Sequence, residues 1–134
     1  MDTAKSLQEL DGQDWGGPDG APTNLVRRCL ELRRVPLDRL SAEDCRLLLG
    51  QKINPEFVVP VALKFLGEDP LEEGTIGVPG ALLSNILSLA ADFWRVHPEL
   101  WWEVREIVGV VESVRAAIEQ MEPMFQQFEA AGEP

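Results

Sequence analysis

The side chains that could carry out a reaction are few and far apart. The one histidine, His97, stands directly before Pro98. General-base work by an imidazole needs an orienting acid and a nucleophile beside it, and no serine or cysteine sits in a context such as Gly-x-Ser-x-Gly. His97 is therefore expected at a helix boundary with its ring packed. Cys29 and Cys45 form no Cys-x-x-Cys pair and lie among apolar helical neighbours, which predicts buried free thiols. One histidine and two separated cysteines do not easily make a zinc set of four ligands. Asp11, Asp14 and Asp19 share a glycine-rich stretch but lack the alternate-position acids and closing glutamate of an EF-hand loop. Gly16, Gly17 and Gly20 are followed by no Gly-Lys-Ser/Thr, so they make no phosphate loop. Glu72 and Glu73 are adjacent in a loop, and no partner acid can be placed opposite them to form a glycosidase pair. The chain has no tyrosine. The pattern predicts no catalytic centre, no metal site and no cofactor. Trp101 and Trp102 can anchor a partner, since tryptophan is enriched at binding hot spots, although one of two adjacent helical tryptophans is expected to face the core.

These residues sit on a chain whose periodicity is helical. Ser6 to Leu10 can form a short turn, and Asp11 to Thr23 reads as a loop that Trp15 pins to the body. Leu25 to Arg34 reads as a helix capped by Thr23 or Asn24 and stopped by Pro36. Ser41-Ala-Glu-Asp44 opens the next, with a hydroxyl cap and acids against the helix dipole, and Gly50 is its expected end. Asn54-Pro55 reads as cap and first helical position of a further helix that Gly67 ends. Ala81 to Phe93 is helical with a break near Ala90–Asp92. From Pro98 on, Leu100, Val104, Ile107, Val111, Val114, Ile118, Met121, Phe125 and Phe128 alternate at spacings of four and three, a heptad-like seam with Pro123 as a bend or stop. Such a seam either covers the rest of the domain or pairs with a second copy. The expected architecture is all-α: a single domain over residues 1–134, an orthogonal or irregular bundle of about five or six helices. Residues 1–24 are partly loop, and 98–128 form a long C-terminal helix.

Charge narrows the partners. The formal net charge is -11, which disfavours direct nucleic-acid binding and anionic membrane surfaces and suits a basic protein. The longest apolar stretches are broken by Pro60, Lys64 or Asn85, short of a membrane span. Met1 to Gly20 is acidic without the apolar segment of a secretion signal, so a cytoplasmic location is expected. Residues 25–40 hold five arginines against two acids, while 99–134 hold eight glutamates against two arginines. The cationic helix is expected to pair with the acidic loop or tail. A small acidic helical protein without a catalytic constellation works by binding another protein.

Seven stretches together resemble one family. They are Leu10-Asp-Gly-Gln-Asp-Trp-Gly16, Leu25-Val-Arg-Arg-Cys-Leu-Glu-Leu-Arg-Arg-Val-Pro-Leu37, Leu40-Ser-Ala-Glu-Asp-Cys-Arg-Leu-Leu-Leu-Gly-Gln51, Val59-Pro-Val-Ala-Leu63, Asp69-Pro-Leu-Glu-Glu-Gly74, Pro79-Gly-Ala-Leu-Leu83 and Phe93-Trp94. In order and spacing, over roughly residues 7–100, they are similar to a helical family of immunity proteins of contact-dependent growth inhibition systems. Each stretch alone says little; the ordered set is specific. The segment Gly74-Thr-Ile-Gly-Val-Pro79 lacks the acidic and aromatic residues of that pattern, and the helix after His97 runs past the matched part. The resemblance implies a bacterial cytoplasmic protein that binds and blocks the toxic C-terminal domain of a delivered toxin. Acidic side chains suit a basic nuclease toxin, because they mimic phosphate and speed association. The candidate contacts are the loop acids Asp11, Asp14, Glu68, Asp69, Glu72 and Glu73, of which Asp11, Asp14 and Asp69 can instead fix turns. A homo-oligomeric scaffold built on the Leu100–Phe128 seam is the other reading.

Overall fold

Local sequence rules account for most helix starts. The computed structural model describes residues 1–134 as seven α-helices, one 3-10 turn and no strand. Helix α1 (Leu7–Asp11) opens with a reciprocal capping box between Ser6 and Glu9, and α3 (Ala42–Gly50) opens with one between Ser41 and Asp44. Helix α2 (Asn24–Leu32) is capped by Thr23, whose hydroxyl accepts from the Val26 N–H at 3.1 Å. A 3-10 turn (Leu37–Arg39) then leads to α3. The N-terminal segment clips onto that connection: the Leu37 and Asp38 N–H groups donate to the carbonyls of Lys5 and Thr3.

Helix α4 (Pro55–Glu68) begins differently from the expected cap. Asn54 stands at its N-cap in the left-handed region, φ 45°, and caps nothing, because its amide is engaged elsewhere. Asparagine tolerates that conformation better than other side chains. The helix also runs one residue past Gly67 and contains Pro60. The segment expected as one broken helix over 81–93 is two helices, α5 (Ala81–Leu87) and α6 (Ala91–Val96), which raises the helix number to seven. Ser88 turns its hydroxyl back onto the Ser84 carbonyl at 2.8 Å, and Ala90 is extended. Helix α7 (Pro98–Ala131) starts with a pre-organised proline and passes through Pro123 without ending, since proline there removes one hydrogen bond out of a long ladder.

Helix α3 packs against α2, α4 and α5, and α4 also meets α7. One core cluster results, built on Leu7, Leu32, Leu37, Leu48, Leu49, Val58, Val59, Ala62, Leu66, Leu82 and Ile86. Cys45 is wholly within it, and burial pushes its thiol up to about 12. Helix α7 contributes only Leu100 and Val104 as buried residues, with Ile107, Val108 and Val111 partly covered. Beyond Val111 the seam leaves the body: Val114, Ile118, Met121, Phe125 and Phe128 are 39–77% exposed. Of the two roles open to the seam, this chain's own core uses only the first half of it.

Candidate functional site

The cationic α2 holds the acidic loop, not the acidic tail. Arg33 lies on the same helical stripe as Val26 and Cys29, and it is 1% exposed. Its Nη1 donates to Asp11 Oδ2 at 2.8 Å and to Asn54 Oδ1 at 2.6 Å. Its Nη2 donates to Asp11 Oδ1 at 3.2 Å and to the Gln13 carbonyl at 2.7 Å. Asn54 Nδ2 closes the triangle on Asp11 Oδ2 at 3.0 Å. The Trp15 ring stacks over the guanidinium at 3.8 Å, so Trp15 does pin the loop, through a cation–π contact. The hydrogen bond from Arg33 holds the Asp11 carboxyl down at about 2. A bidentate buried pair of this kind fixes three separate segments at one point.

Arg28 of α2 and Arg34, just after it, are also paired with acids. Arg28 bridges Glu31 and Asp44, each at 3.1 Å, and Arg34 approaches Asp14 at 3.7 Å. A second tie joins α3 to the 69–80 loop: Glu43 accepts from Arg46 Nε and from the Thr75 N–H, both at 2.9 Å. The hydrogen bond from Arg46 lowers the Glu43 carboxyl to about 2. Gly74, at φ 62°, presses against that carboxylate so closely that a Cβ would collide with it.

The six candidate acids divide into two sets with no hydrogen bond or ion pair between them. Asp11 is half-buried under Arg33. Asp14 is exposed, and its Oδ1 accepts from the Gly16 N–H at 2.8 Å. Asp69 Oδ1 likewise accepts from the Leu71 N–H at 3.0 Å, and Glu72 from the Gly74 N–H at 3.2 Å. These are turn-fixing bonds of aspartate and its longer homologue. They leave much of each carboxylate free. Glu68, Asp69 and Glu73 are exposed, Glu72 is partly so, and no cation of the chain lies within ion-pair distance of any of the four.

The remaining chemical groups are placed apart from these. His97 stacks on Phe93 with ring centroids 4.7 Å apart, and its Nδ1 lies 3.6 Å from Glu99. Cys29 and Cys45 are free and buried. Trp101 and Trp102 meet edge to face and are both exposed, at 42% and 65%, where one was expected to face the core. The core below them is filled instead by Leu100 and Val104, one position before Trp101 and two after Trp102. Leu25 and Val26 are also more exposed than their helical stripe implied. With Trp15, Cys29, Leu30 and Ile53 they line an apolar hollow of about 200 Å³.

Sequence reasoning missed the Arg33–Asp11–Asn54–Trp15 cluster. The readable signal was an arginine on a stripe otherwise occupied by Val26 and Cys29, with a tryptophan in the preceding loop. No helix is long and apolar enough to cross a membrane. No curated protein and no solved structure matches the chain. A family model described as CDI immunity proteins matches residues 9–104, from the end of α1 to the first turns of α7, including the Arg33 cluster and the acidic loop. The chain belongs to the family of CDI immunity proteins.

Proposed function

We propose that this protein neutralises one cognate toxin domain by binding it, in the cytoplasm, without catalytic turnover. The family match over residues 9–104 carries the reading. Its physical form comes from charge: a chain at -11 attracts a basic partner over a Debye length, about 8 Å at physiological salt. A nuclease toxin is the partner class that fits, because its active site is built to receive phosphates and exposed carboxylates imitate them. Glu68, Asp69, Glu72 and Glu73 in one loop, and Asp14 in the other, are the side chains with charge to offer. Asp11 acts indirectly by holding the loop that carries Asp14. The six acids therefore contribute in two ways, five as contacts and one as a support.

Co-expression with the toxin domain encoded beside it tests this reading. The protein rescues growth from that toxin and not from unrelated ones. Association slows several-fold between low salt and about 0.5 M salt, as screened electrostatic steering requires. Binding with a salt-independent rate would remove the electrostatic form and keep the immunity function. No binding to the cognate domain would remove the immunity function.

One observation favours a second, compatible role. The α7 seam stays apolar beyond Val111, where Val114, Ile118, Met121, Phe125 and Phe128 lie outside the core of the body. We infer that this half of the Leu100–Phe128 seam joins two copies of the chain.

A further inference from the structure

We propose that the two copies pair antiparallel along the free half of α7, leaving the two immunity bodies at opposite ends of a helical rod. The arrangement rests on the self-association reading above and adds direction and register to it. Val111, Ile118 and Phe125 occupy one core position of the heptad, and Val114, Met121 and Phe128 the other. Val110 and Met124, 49% and 65% exposed, widen the same face. Gly109 and Pro123 fall on the opposite side, so neither interrupts it.

Side-chain size chooses the direction. In an antiparallel pair centred between Glu119 and Gln120, Met121 meets Ile118 of the second copy, Phe125 meets Val114, and Phe128 meets Val111. The phenylalanines thus face valines, the large-on-small interdigitation that packs well. A parallel pair would set each core residue against its own copy, Val against Val at one end and Phe against Phe at the other, and bring both bodies to one end. The body supplies a second argument. A hollow of about 100 Å³, lined by Leu83, Leu87, Val108 and Val111 together with the side chains of Glu112 and Arg115, opens at the layer where Phe128 of the second copy arrives. Phe128 is 77% exposed in the single chain, more than any other large apolar side chain of the body or seam. The antiparallel register therefore fills an empty apolar site with an uncovered aromatic ring, and the parallel register leaves both as they are.

Charge agrees. The antiparallel register brings Arg115 beside Glu122 of the second copy, twice by symmetry. Within one chain Arg115 has only Glu119 at 3.9 Å, both side chains largely exposed. The parallel register sets Arg115 beside Val110 and Glu122 beside Ala117, with no ion pair. Covering the exposed seam removes on the order of 1,200 Å² in total, the lower end of specific interfaces. That area fits a dimer that dissociates on dilution.

Light scattering or sedimentation of the full chain from about 1 to 300 µM, a range suited to a micromolar interface, gives the first readout. The mass rises from 14.9 kDa towards twice that value. Phe125→Glu, on an exposed face and with helicity checked by circular dichroism, raises the dissociation constant at least about tenfold. Arg115→Glu weakens the dimer, and adding Glu122→Arg restores it. Spin labels at Ala130→Cys, both native thiols being buried, report about 30 Å between copies in the antiparallel rod and less than about 15 Å in a parallel one. A monomer across the whole range overturns self-association itself. A dimer with the short distance overturns the antiparallel register alone. A monomer whose Phe125→Glu variant loses toxin binding gives this face to the toxin and overturns the proposal, whereas a monomeric variant that still binds toxin separates the two functions as proposed.

Discussion

Two acidic segments of this protein differ in what surrounds their charge. Around Asp11 every carboxylate oxygen has a partner, and the partner is a buried arginine. Around Glu68–Glu73 the carboxylates bond only to the backbone of their own turns, and no cation of the chain approaches. The same residue type thus serves cohesion in one place and stands unpaired in the other. The difference lies in the arginine: α2 delivers Arg33 into the body, while Arg46 near the second segment is taken by Glu43. A negative charge becomes available to a partner only where the fold has used its cations elsewhere.

The largest effect should come from breaking the first segment. Asp11→Ala leaves Arg33 buried without its countercharge, which costs about 3–5 kcal/mol. Urea unfolding measures it. The double variant Asp11→Ala, Arg33→Met should recover a substantial part of the loss, since removing both members of a buried pair is far cheaper than removing one. A loss below about 1 kcal/mol for the single variant, the size of an exposed pair, would show that the cluster does not hold the fold.

Acid should act on the same cluster next. Asp11 is lowered from 3.8 to about 2, and Glu43 from 4.5 to about 2. A carboxyl depressed in the folded state stabilises fully above its unfolded value and loses that contribution as pH falls through the folded one. Stability is therefore flat in these two groups above about pH 5 and declines from about pH 4.5 to about 2. Thermal melts across that range show the slope, and Asp11→Asn flattens part of it. A melting temperature that stayed constant down to pH 2 would contradict both pairings.

The smallest structural effect belongs to the second segment. Glu72→Lys with Glu73→Lys should leave the melting temperature and helicity unchanged while slowing toxin association several-fold. The two segments then separate cleanly, one read out by unfolding and one by association rate. A large drop in melting temperature would mean that the second segment is cohesive too.

The parts that were legible in the sequence are those set by neighbours along the chain. Ser41 with Asp44, Thr23 with Val26 and Pro98 at a first helical position each act within one turn, so their effect can be read from spacing alone. Asn54 and Pro55 marked the start of α4 correctly, but the Asn54 amide obeys Asp11 and Arg33, each more than twenty residues away, instead of capping the helix it precedes. Pro123, read as a bend or a stop, does not stop the helix, because a long ladder outlasts one lost hydrogen bond. The seam was legible as a seam, but its extent of cover was not, since that depends on where the other helices end. The acids were found as residues; which of them were already paired required knowing where Arg33 points.

Helix α7 runs without interruption from the body into the seam, and the family match stops at residue 104, about two turns before the body lets the helix go at Val111. Each residue of a helix advances the side-chain direction by about 100°. The angle between the acidic loop and the free apolar face is therefore keyed by the number of residues between them, as on a notched shaft. One residue inserted at Gly109 would swing Phe125 and Phe128 a quarter-turn or more away, while seven would return them within about 20°. Changes of length in this stretch are tolerable in steps close to whole numbers of turns, such as about seven or about eleven residues, and steps far from these unlock one face from the other.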